Sequence, residues 1–377
     1  MRWFLLITMN ENIIELTYDL VRMHTTADRP DELQRAVQYV NDYFKPIDSL
    51  VIKRYESRHK PSIVISTQDT LTPDILLVGH LDVVPATEEL FEPRVAGTRV
   101  YGRGVCDMKS ECAVMMRIMR EIAALEEKPN IALMLTTDEE VGGFDGVNYL
   151  INEIGYRCKI ALVPDGGTAP DDLVITNKGI LTLRLNATGR RAHGSRPWLG
   201  ENAIDSLIAA YARIRELFPN TPTAEDHWYH TCNIGTIQGG ETFNQVPDFA
   251  TCDLDIRFTE QTNVDDLFAA VKEKAGPDVE VLNRISGSPI FTDPNHPYVK
   301  MYEEAVEKTL KLKTEHNKHC GSNDGRFLSE LGIPLIISRP VSGDQHSPHE
   351  WLEIESLPKF HRVYWQFIQA LHESFKN

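Results

Sequence analysis

The sequence predicts an α/β protein in which helices flank a mixed sheet and a smaller α+β domain is inserted into the chain. Short apolar runs alternate with helical stretches before residue 180, which is typical of a sheet covered on both faces. After residue 180 the strands become apolar on one side only. The chain has 377 residues, about twice the usual domain size, so two cores are expected.

Two amphipathic helices open the chain and a series of short strands follows. The stretches ENIIELTYDLVRM and PDELQRAVQYVNDYF carry apolar residues at helical spacing, and the second starts with Pro30 and acids. Continuous apolar stretches such as IALML suit strands that are buried on both faces. The predicted strands are SIVIST, DILLVGHLDVV, IALMLTTDEE and KIALVPDGG, and predicted helices at 108–125 and 147–154 separate them.

The inserted domain is predicted at residues 180–293. GILTLRLNATG alternates apolar and polar residues, as a strand with one wet face does, and CNIGTIQGG and ATCDLDIRF read similarly. An amphipathic helix at 202–218 lies between the first two of these strands. Residues 1–179 and 294–377 then form the other domain, in which helices at 298–312 and 360–375 flank the strand IPLIIS.

Composition and charge exclude several partners. The sequence has 39 Lys and Arg against 55 Asp and Glu, and the net charge of -16 repels nucleic acids and anionic membranes. The six cysteines are scattered without a CxxC pair, which predicts reduced thiols in a cytoplasmic protein rather than disulfides or a thiolate zinc site. The opening stretch MRWFLLITMNEN is too short for a signal peptide or a membrane span.

Residues of metal-ligand type stand where the apolar runs end. In MLTTDEEVGG, three consecutive acids follow an apolar run, and such a cluster is costly unless a cation lies among its members. Taken singly, each such residue is more often a cap or a turn residue. Because ligands bind beyond the carboxyl ends of strands in open α/β sheets, the repetition indicates a common site. The candidates are His80, Asp82, Asp107, Glu139, Glu140 and Asp165.

The chemistry of these candidates predicts a metal centre. Imidazole and carboxylate ligands without thiolates are typical of hydrolytic zinc, cobalt or manganese centres. Five anions around one pocket suit two cations rather than one, because their mutual repulsion must be offset. Two divalent metal ions are therefore the expected cofactor, with zinc as the first choice and cobalt or manganese as alternatives.

Successive motifs along nearly the whole chain resemble those of one known family. The motifs are GHLDVVP, GRGVCDMKS, TTDEEVGG, VPDGG, RRAHGSRPWLGENAI, GSNDGRF and HSPHEWL. In this order they resemble the di-zinc amidohydrolases and exopeptidases that include acetylornithine deacetylase, succinyl-diaminopimelate desuccinylase, aminoacylase and the glutamate-releasing carboxypeptidases. The resemblance implies a zinc exopeptidase-like catalytic domain with an inserted lid or dimerisation domain.

The resemblance implies a role for each residue at the strand ends. Glu139 would be the general base, and Asp82 would accept the second imidazole N–H of His80. A non-proline cis peptide is expected after the bridging carboxylate, at Asp107-Met108. The implied ligands are Asp107 between the two cations, His80 and Asp165 on one of them, and Glu140 and His346 on the other.

Two histidines in GDQHSPHEWLEI could supply the last ligand. The family pattern places this ligand four residues before a glutamate, and Glu350 stands at that distance from His346. The resemblance therefore favours His346 over His349, which would face solvent or support the site from outside.

Four further residues match positions that contact substrate in the family. His193 in RRAHGSRP matches the substrate-polarising histidine, which in this family often comes from the partner subunit. Asn244 in FNQVPD and Arg257 in DIRF match residues that hold the α-carboxylate of the substrate. Arg326 in GSNDGRF would be a second anion clamp, because a guanidinium binds a carboxylate through two parallel hydrogen bonds. Asn323 departs from the Ser or Thr usual there.

These observations predict a homodimeric metallohydrolase that cleaves the amide bond of an N-acyl amino acid or short peptide. An N-acyl-diaminopimelate or N-acyl-ornithine deacylase is the first choice. A dipeptidase or glutamate-releasing carboxypeptidase is the alternative, because the same site serves both reactions and only pocket loops choose between them. A non-catalytic metal-binding scaffold is the hypothesis from another class, and it would be expected to lack the base or a ligand.

Overall fold

The computed structural model describes residues 13–223 and 225–376, so the opening stretch MRWFLLITMNEN lies outside the described residues. The chain divides into two compact units. Unit 1 comprises the described residues of Met1–Ile175, Phe291–His319 and Asn323–Asn377, and unit 2 comprises Thr176–Ile290 and Cys320–Ser322. The predicted role of the inserted part as a lid or dimerisation domain stays a prediction.

Eight α-helices occur in the described part of the chain. None of them is both long and apolar enough to span a bilayer. Their bounds are α1 at residues 13–21, α2 Pro30–Phe44, α3 Lys109–Ala123, α4 Ala203–Arg215, α5 Val264–Ala275, α6 Pro297–Leu310, α7 Gly325–Ser329 and α8 Ser356–Lys376.

The strands are numbered in chain order. The first eight are β1 Val51–Ser57, β2 Lys60–Ser66, β3 Ile75–His80, β4 Arg94–Ala96, β5 Arg99–Tyr101, β6 Ile131–Thr136, β7 Ile160–Leu162 and β8 Asp172–Asn177. The next six are β9 Gly179–Thr188, β10 Ala192–His193, β11 Thr231–Gly239, β12 Gln245–Val246, β13 Phe249–Phe258 and β14 Val279–Gly287. The last five are β15 Ile290–Phe291, β16 Glu315–His319, β17 Leu335–Ile336, β18 Ser342–Gly343 and β19 Trp351–Glu353.

Unit 1 is built on a six-stranded mixed sheet in the order β1-β2-β6-β3-β7-β17. Strands β6, β3, β7 and β17 are parallel, whereas β1 and β2 are antiparallel to their neighbours. Every residue of β3 and β6 is buried, which explains why their sequences are continuously apolar rather than alternating. The predicted fold class, a mixed sheet flanked by helices with a smaller inserted α+β domain, is confirmed.

A second sheet of unit 1 has the order β18-β19-β5-β4 and joins distant parts of the chain. Its β19 pairs antiparallel with β5, so that Trp351 lies opposite Tyr101. This register places Glu350 beside the segment that follows β5, since Gly102 donates its N–H to the Glu350 carbonyl oxygen at 3.3 Å. The pairing determines the position of two loops that are discussed below.

Unit 2 contains a four-stranded antiparallel sheet in the order β11-β13-β9-β14. Residues of β9 and β13 alternate between buried and partly exposed, as predicted, whereas β11 is mostly exposed and does not show the predicted alternation. Helices α4 and α5 contribute Leu207, Ile214 and Val271 to the core on the apolar face. Helix α4 starts after Asn202, whose side chain accepts N–H bonds from the first turn.

Two predicted elements differ from the observed ones. The predicted helix at 147–154 is a π-helix over Tyr149–Ile154, and it ends at Gly155, whose φ of 94° lies in the left-handed region. The predicted strand KIALVPDGG is reduced to the three residues of β7. Pro164 lacks the N–H that a central strand needs, so pairing stops before it.

Candidate metal centre

Neighbouring parallel strands bring the first candidate residues together. His80 ends β3 and lies opposite Thr136, which ends β6. Glu139 and Glu140 follow three and four residues later in a short 3₁₀ turn. Because parallel strands end at the same edge of a sheet, the imidazole and both carboxylates reach one place.

Asp107 faces two imidazoles with its two oxygens. His80 Nε2 lies 3.1 Å from Oδ1, and His346 Nε2 lies 3.1 Å from Oδ2. His346 Nε2 also lies 3.3 Å from Glu140 Oε2. The expected cis peptide at Asp107-Met108 is present. This arrangement is one that a carboxylate between two cations would require, although the ligand assignments stay predictions.

Among the described residues, two overlapping groups of side chains could hold a metal ion, and in each of them the ligand atoms lie within 4.8 Å of one another. One group is His80, Asp107 and Glu140, and the other is His80, Glu139 and Asp165. The second group contains Glu139, to which the sequence assigned the role of base rather than ligand. Imidazole nitrogens and carboxylate oxygens are suitable ligands for zinc, cobalt or manganese.

The electrostatics of the cluster show like charges forced together. Burial raises the pKa of Asp165 to about 7, and the Asp107 carboxylate adds to the shift. Burial also raises the pKa of Glu139 well above its usual value. Hydrogen bonds to Asp107 and Glu140 raise the pKa of His346 to about 10. Divalent cations would reverse these shifts, because ligation needs ionised carboxylates and neutral imidazoles.

Asp82 supports the site in a different way from the prediction. The backbone N–H groups of Glu139 and Glu140 donate to its two carboxylate oxygens at 3.3 and 3.0 Å. The Nδ1 atom of His80 lies 3.0 Å from the Asp82 carbonyl oxygen and 3.5 Å from Oδ1. The carbonyl is therefore the closer partner of the imidazole, and the carboxylate holds the turn that carries both glutamates.

His346 and His349 occupy different environments. Both side chains are exposed and neither belongs to the two candidate ligand groups, but His346 contacts Asp107 and Glu140, whereas His349 donates its backbone N–H to Ser347 Oγ. His346 has a φ of 63°, a left-handed conformation that non-glycine residues adopt only at a cost.

A buried ion pair, not identified from the sequence, braces the loops of Asp107 and His346. Glu350 Oε1 accepts the N–H groups of Gly104, Cys106 and Asp107 at 2.9, 2.9 and 3.2 Å, while Oε2 accepts a short hydrogen bond from Arg103 Nη1. Arg103 Nη2 in turn donates to the His346 carbonyl oxygen at 3.1 Å. In the sequence, Glu350 was used only for its distance of four residues from His346.

Asp138 and Asp324 are two further buried carboxyls, and no sequence motif predicted a catalytic or binding role for either. Asp138 Oδ2 accepts the N–H of Asp145 at 2.7 Å, and burial raises the pKa of Asp138 to about 8. Burial raises the pKa of Asp324 to about 6, and its oxygens have no hydrogen-bond partner among the described residues. A Cβ atom at Gly143 would overlap Asp324 Oδ1, so the carboxyl needs a glycine there.

Arg326 is buried and is occupied by backbone oxygens. Its Nη2 donates to the Gly142 carbonyl at 2.5 Å and its Nη1 donates to the Asn323 carbonyl at 3.2 Å. Only Nε has no hydrogen-bond partner among the described residues. Two backbone bonds therefore hold the guanidinium in place and leave N–H donors that the predicted anion clamp could use.

Arg339 also escaped the sequence analysis, although its position carried the same signal as the ligands. It stands three residues beyond β17, as Asp165 stands three residues beyond β7, and Ile336 lies opposite Leu162 in these parallel strands. The buried guanidinium accordingly reaches Asp165, with Nη2 at 3.3 Å from Oδ1. Arginine is not a metal-ligand type of residue, so the pattern of ligands at strand ends does not include it.

Unit 2 holds the other predicted residues in exposed or half-buried positions. His193 accepts hydrogen bonds at Nδ1 from the backbone N–H and the hydroxyl of Ser195. Gly194 donates its N–H to the Asn244 carbonyl oxygen at 2.7 Å, so His193 and Asn244 lie on neighbouring segments. Arg257 lies near the far end of β13, where Nε donates to Asp255 at 2.9 Å. The structure thus brings His193 close to Asn244 but not Arg257.

Comparisons with known proteins agree with the motifs. The peptidase family M20/M25/M40 matches residues 76–370. A succinyl-diaminopimelate desuccinylase of Azoarcus sp. (strain BH72) is 27% identical over 326 residues, which cover 79% of this chain and 83% of the relative.

Two solved structures share the fold. An M20 family metallo-carboxypeptidase from Sulfolobus solfataricus superposes with a TM-score of 0.80 at 17% identity, covering 96% of this chain and 99% of the other. A dinuclear metal-binding M20 peptidase from Bacillus subtilis superposes with a TM-score of 0.66 at 14% identity, covering 97% and 99%.

Proposed function

We infer the reaction of this chain from the premise that it belongs to the peptidase family M20/M25/M40. It is a metal-dependent hydrolase that cleaves the amide bond of N-acyl amino acids or short peptides. We propose that it removes a succinyl or acetyl group from an amino acid, as a succinyl-diaminopimelate desuccinylase or acetylornithine deacetylase does. The observation that carries the metal-dependent reaction is Asp107, whose two oxygens face the imidazoles of His80 and His346 within a buried carboxylate cluster. The choice of acyl group rests on the similarity to the Azoarcus desuccinylase.

The residues present fit a pair of divalent cations, for which zinc is our first choice. Asp107, His80 and Asp165 would hold one cation, and Asp107, Glu140 and His346 the other. The Oε1 atom of Glu140 is buried and has no hydrogen-bond partner in the described part of the chain, so it is free to bind a cation. When bound, such cations polarise the scissile carbonyl and lower the pKa of water.

Glu139 is the general base in this proposal. Its carboxylate lies at the rim of the cluster, 4.0 Å from His80 Nε2, and its backbone is fixed by Asp82. It takes a proton from the attacking water and passes it to the leaving amine.

Substrate binding is assigned to residues of both units. We propose that Asn244 and Arg257 hold the α-carboxylate, that Arg326 is a second anion clamp, and that His193 polarises the scissile carbonyl. We also propose a homodimer whose partner subunit supplies the histidine. All six cysteines are free thiols, which supports a cytoplasmic location.

A dipeptidase or carboxypeptidase activity is the second candidate, because the Sulfolobus structure that shares the fold is a metallo-carboxypeptidase. The non-catalytic scaffold is disfavoured, since the base and all five candidate ligands are present in the sequence.

A substrate panel tests the proposal. Protein loaded with zinc, cobalt or manganese is assayed for released amine on N-succinyl and N-acetyl amino acids and on dipeptides. We expect the highest kcat/KM on an N-succinyl or N-acetyl diamino acid, and no release by a Glu139→Gln control. Faster hydrolysis of dipeptides would replace the deacylase with the peptidase, and activity undiminished by metal removal would refute both.

A further inference from the structure

Arg339 has more contacts with the metal-binding segments than any sequence signal indicated. Its side chain is 2% exposed, so its charge is removed from water. Nη1 donates to the Cys106 carbonyl at 3.2 Å and to Gln345 Oε1 at 3.1 Å, while Nη2 donates to Asp165 Oδ1 at 3.3 Å. Cys106 precedes Asp107 and Gln345 precedes His346, so one guanidinium touches the segments of three candidate ligands.

The charge of Arg339 is permanent. Burial lowers the pKa of the guanidinium. The neighbouring groups raise it by more than burial lowers it, so the net shift is upward; these groups are Cys106, Asp165, Asp107 and Glu111. An arginine side chain stays protonated at every ordinary pH. A fixed positive charge therefore lies beside one oxygen of Asp165 and repels any cation that this carboxylate binds.

The two candidate metal positions differ in this respect. Glu140 and His346, the residues that would hold the second cation, have no hydrogen bond to Arg339 among the described residues. Arg103, another arginine buried near the cluster, contacts Glu350 and main-chain oxygens but no candidate ligand carboxylate. Among the candidate ligand carboxylates, Asp165 is the one hydrogen-bonded to Arg339 in the described part of the chain, so the repulsion is strongest there, although the charge also acts on Asp107.

We propose that Arg339 is a positioning residue that holds Asp165 by Oδ1, leaves Oδ2 to bind a cation, and makes the metal position beside Asp165 the weaker of the two. The proposal rests on the proposed function, because it requires two bound cations. At the effective dielectric constant of about 20 that suits buried charges, a unit charge this close changes the affinity for a divalent cation by well over tenfold.

The test measures two dissociation constants rather than activity. The full-length chain is stripped of metal and titrated with Zn²⁺ or Co²⁺ against a chromophoric chelator. Arg339→Gln removes the charge and keeps a hydrogen-bonding side chain. We expect it to lower the weaker dissociation constant at least tenfold and to change the tighter one by less than threefold. Arg339→Lys keeps the charge, and both constants are expected to stay within threefold of the unsubstituted protein.

Arg103→Gln is the matched control. It removes a guanidinium that is similarly buried but is paired with Glu350, which is not a candidate metal ligand. Neither constant is expected to fall tenfold in this variant. In a His346→Ala chain, which by the proposal keeps only the position beside Asp165, Arg339→Gln is expected to tighten the single remaining constant. Loss of the effect in that background would overturn the assignment to Asp165.

Other results would also overturn the inference. An unchanged or larger weak constant in Arg339→Gln would mean that the guanidinium only supports the fold, and an equal gain in Arg103→Gln would make the effect unspecific. If Arg339→Gln does not fold, a shift of more than tenfold in Arg339→Lys would refute the role of charge. An unsubstituted chain that binds fewer than two cations would instead refute the proposed function.

Discussion

The predicted metal-binding residues of unit 1 are mostly buried and their side chains contact one another, whereas the predicted substrate residues of unit 2 are more exposed and their side chains hydrogen-bond to residues two positions away. Asp107 lies 27 residues from His80 and 239 from His346 along the chain, yet it contacts both. In contrast, His193 contacts Ser195 and Arg257 contacts Asp255, each two residues away. The fold therefore determines the geometry of the first set, whereas the side chains of the second set are held by residues close in sequence.

This difference indicates where each part of the reaction is organised. Long-range contacts between buried groups resist displacement, so the metal centre can form before substrate binds. The residues of unit 2 lack such constraints and can adapt to the substrate carboxylate. Substitutions in unit 1 are accordingly expected to affect metal content and chemistry, and substitutions in unit 2 to affect substrate handling.

The largest expected effect tests whether Glu139 belongs to the chemistry or to the ligands. Glu139→Gln is expected to lower kcat on the order of 10³-fold, because it removes the general base, and to leave both cations bound. Elemental analysis and steady-state kinetics measure the two quantities. Glu140→Gln is the paired control and is expected to lose one cation. Metal loss in the Glu139 variant would make it a ligand, as its group with His80 and Asp165 also permits.

His193 provides the corresponding test in unit 2. His193→Ala is expected to lower kcat by about 10²- to 10³-fold, since it removes a donor to the developing oxyanion, without any change in metal content. Mixing this chain with a Glu139→Gln chain asks whether the histidine acts across a dimer. Activity that returns after subunit exchange supports action in the partner, whereas demonstrated exchange without activity would place His193 in its own chain or outside the reaction.

The metal content of two histidine variants sharpens the boundary of the site. His346→Ala is expected to reduce the bound metal from two ions to one, because it removes a candidate ligand that contacts Asp107 and Glu140. His349→Ala is expected to keep two. Both variants can be compared by elemental analysis after equal dialysis, and the reverse result would exchange their roles.

The last comparison measures unfolding free energy for one ion pair from each unit, and the exposed pair is expected to give the smallest effect of all. Arg103 and Glu350 are 3% and 1% exposed, so Arg103→Gln is expected to cost about 3–5 kcal/mol of unfolding free energy by leaving a buried charge unpaired. Arg184 and Asp253 of unit 2 are 39% and 23% exposed, and Arg184→Gln is expected to leave the unfolding free energy almost unchanged, because solvent screens the pair. Denaturant unfolding of the metal-free protein measures both. Equal losses would show that burial does not distinguish the two units.

The sequence predicted those features that follow from strand ends. His80, Glu139, Glu140 and Asp165 each follow an apolar run, and the parallel order of β6, β3 and β7 was sufficient to bring them together. The inserted α+β domain was recognised from the change to one-sided strands. Periodicity could not show that residues 149–154 form a π-helix, because one extra residue per turn barely alters the apolar pattern.

The supporting residues could not be derived in the same way. Glu350 meets Arg103 only because β19 pairs with β5, a contact between segments almost 250 residues apart. The path of the loop that carries His346 depends on left-handed residues at Asp344 and His346. Asp and His adopt this conformation more readily than most residues, but most Asp and His residues do not adopt it, so residue type alone could not locate it. Asp324 needs the close approach of Gly143, which no local pattern reveals.

The equal spacing of Asp165 and Arg339 beyond their strands limits how this part of the protein can change length. Residues 163–165 and 337–339 are two segments of equal length, which we call arms, and they start after the paired residues Leu162 and Ile336. A single inserted or deleted residue in one arm displaces its tip by about 3.3 Å, as far as the whole hydrogen bond extends. Length variation is therefore confined to paired changes in both arms, and a graft from a relative must transfer the two loops together.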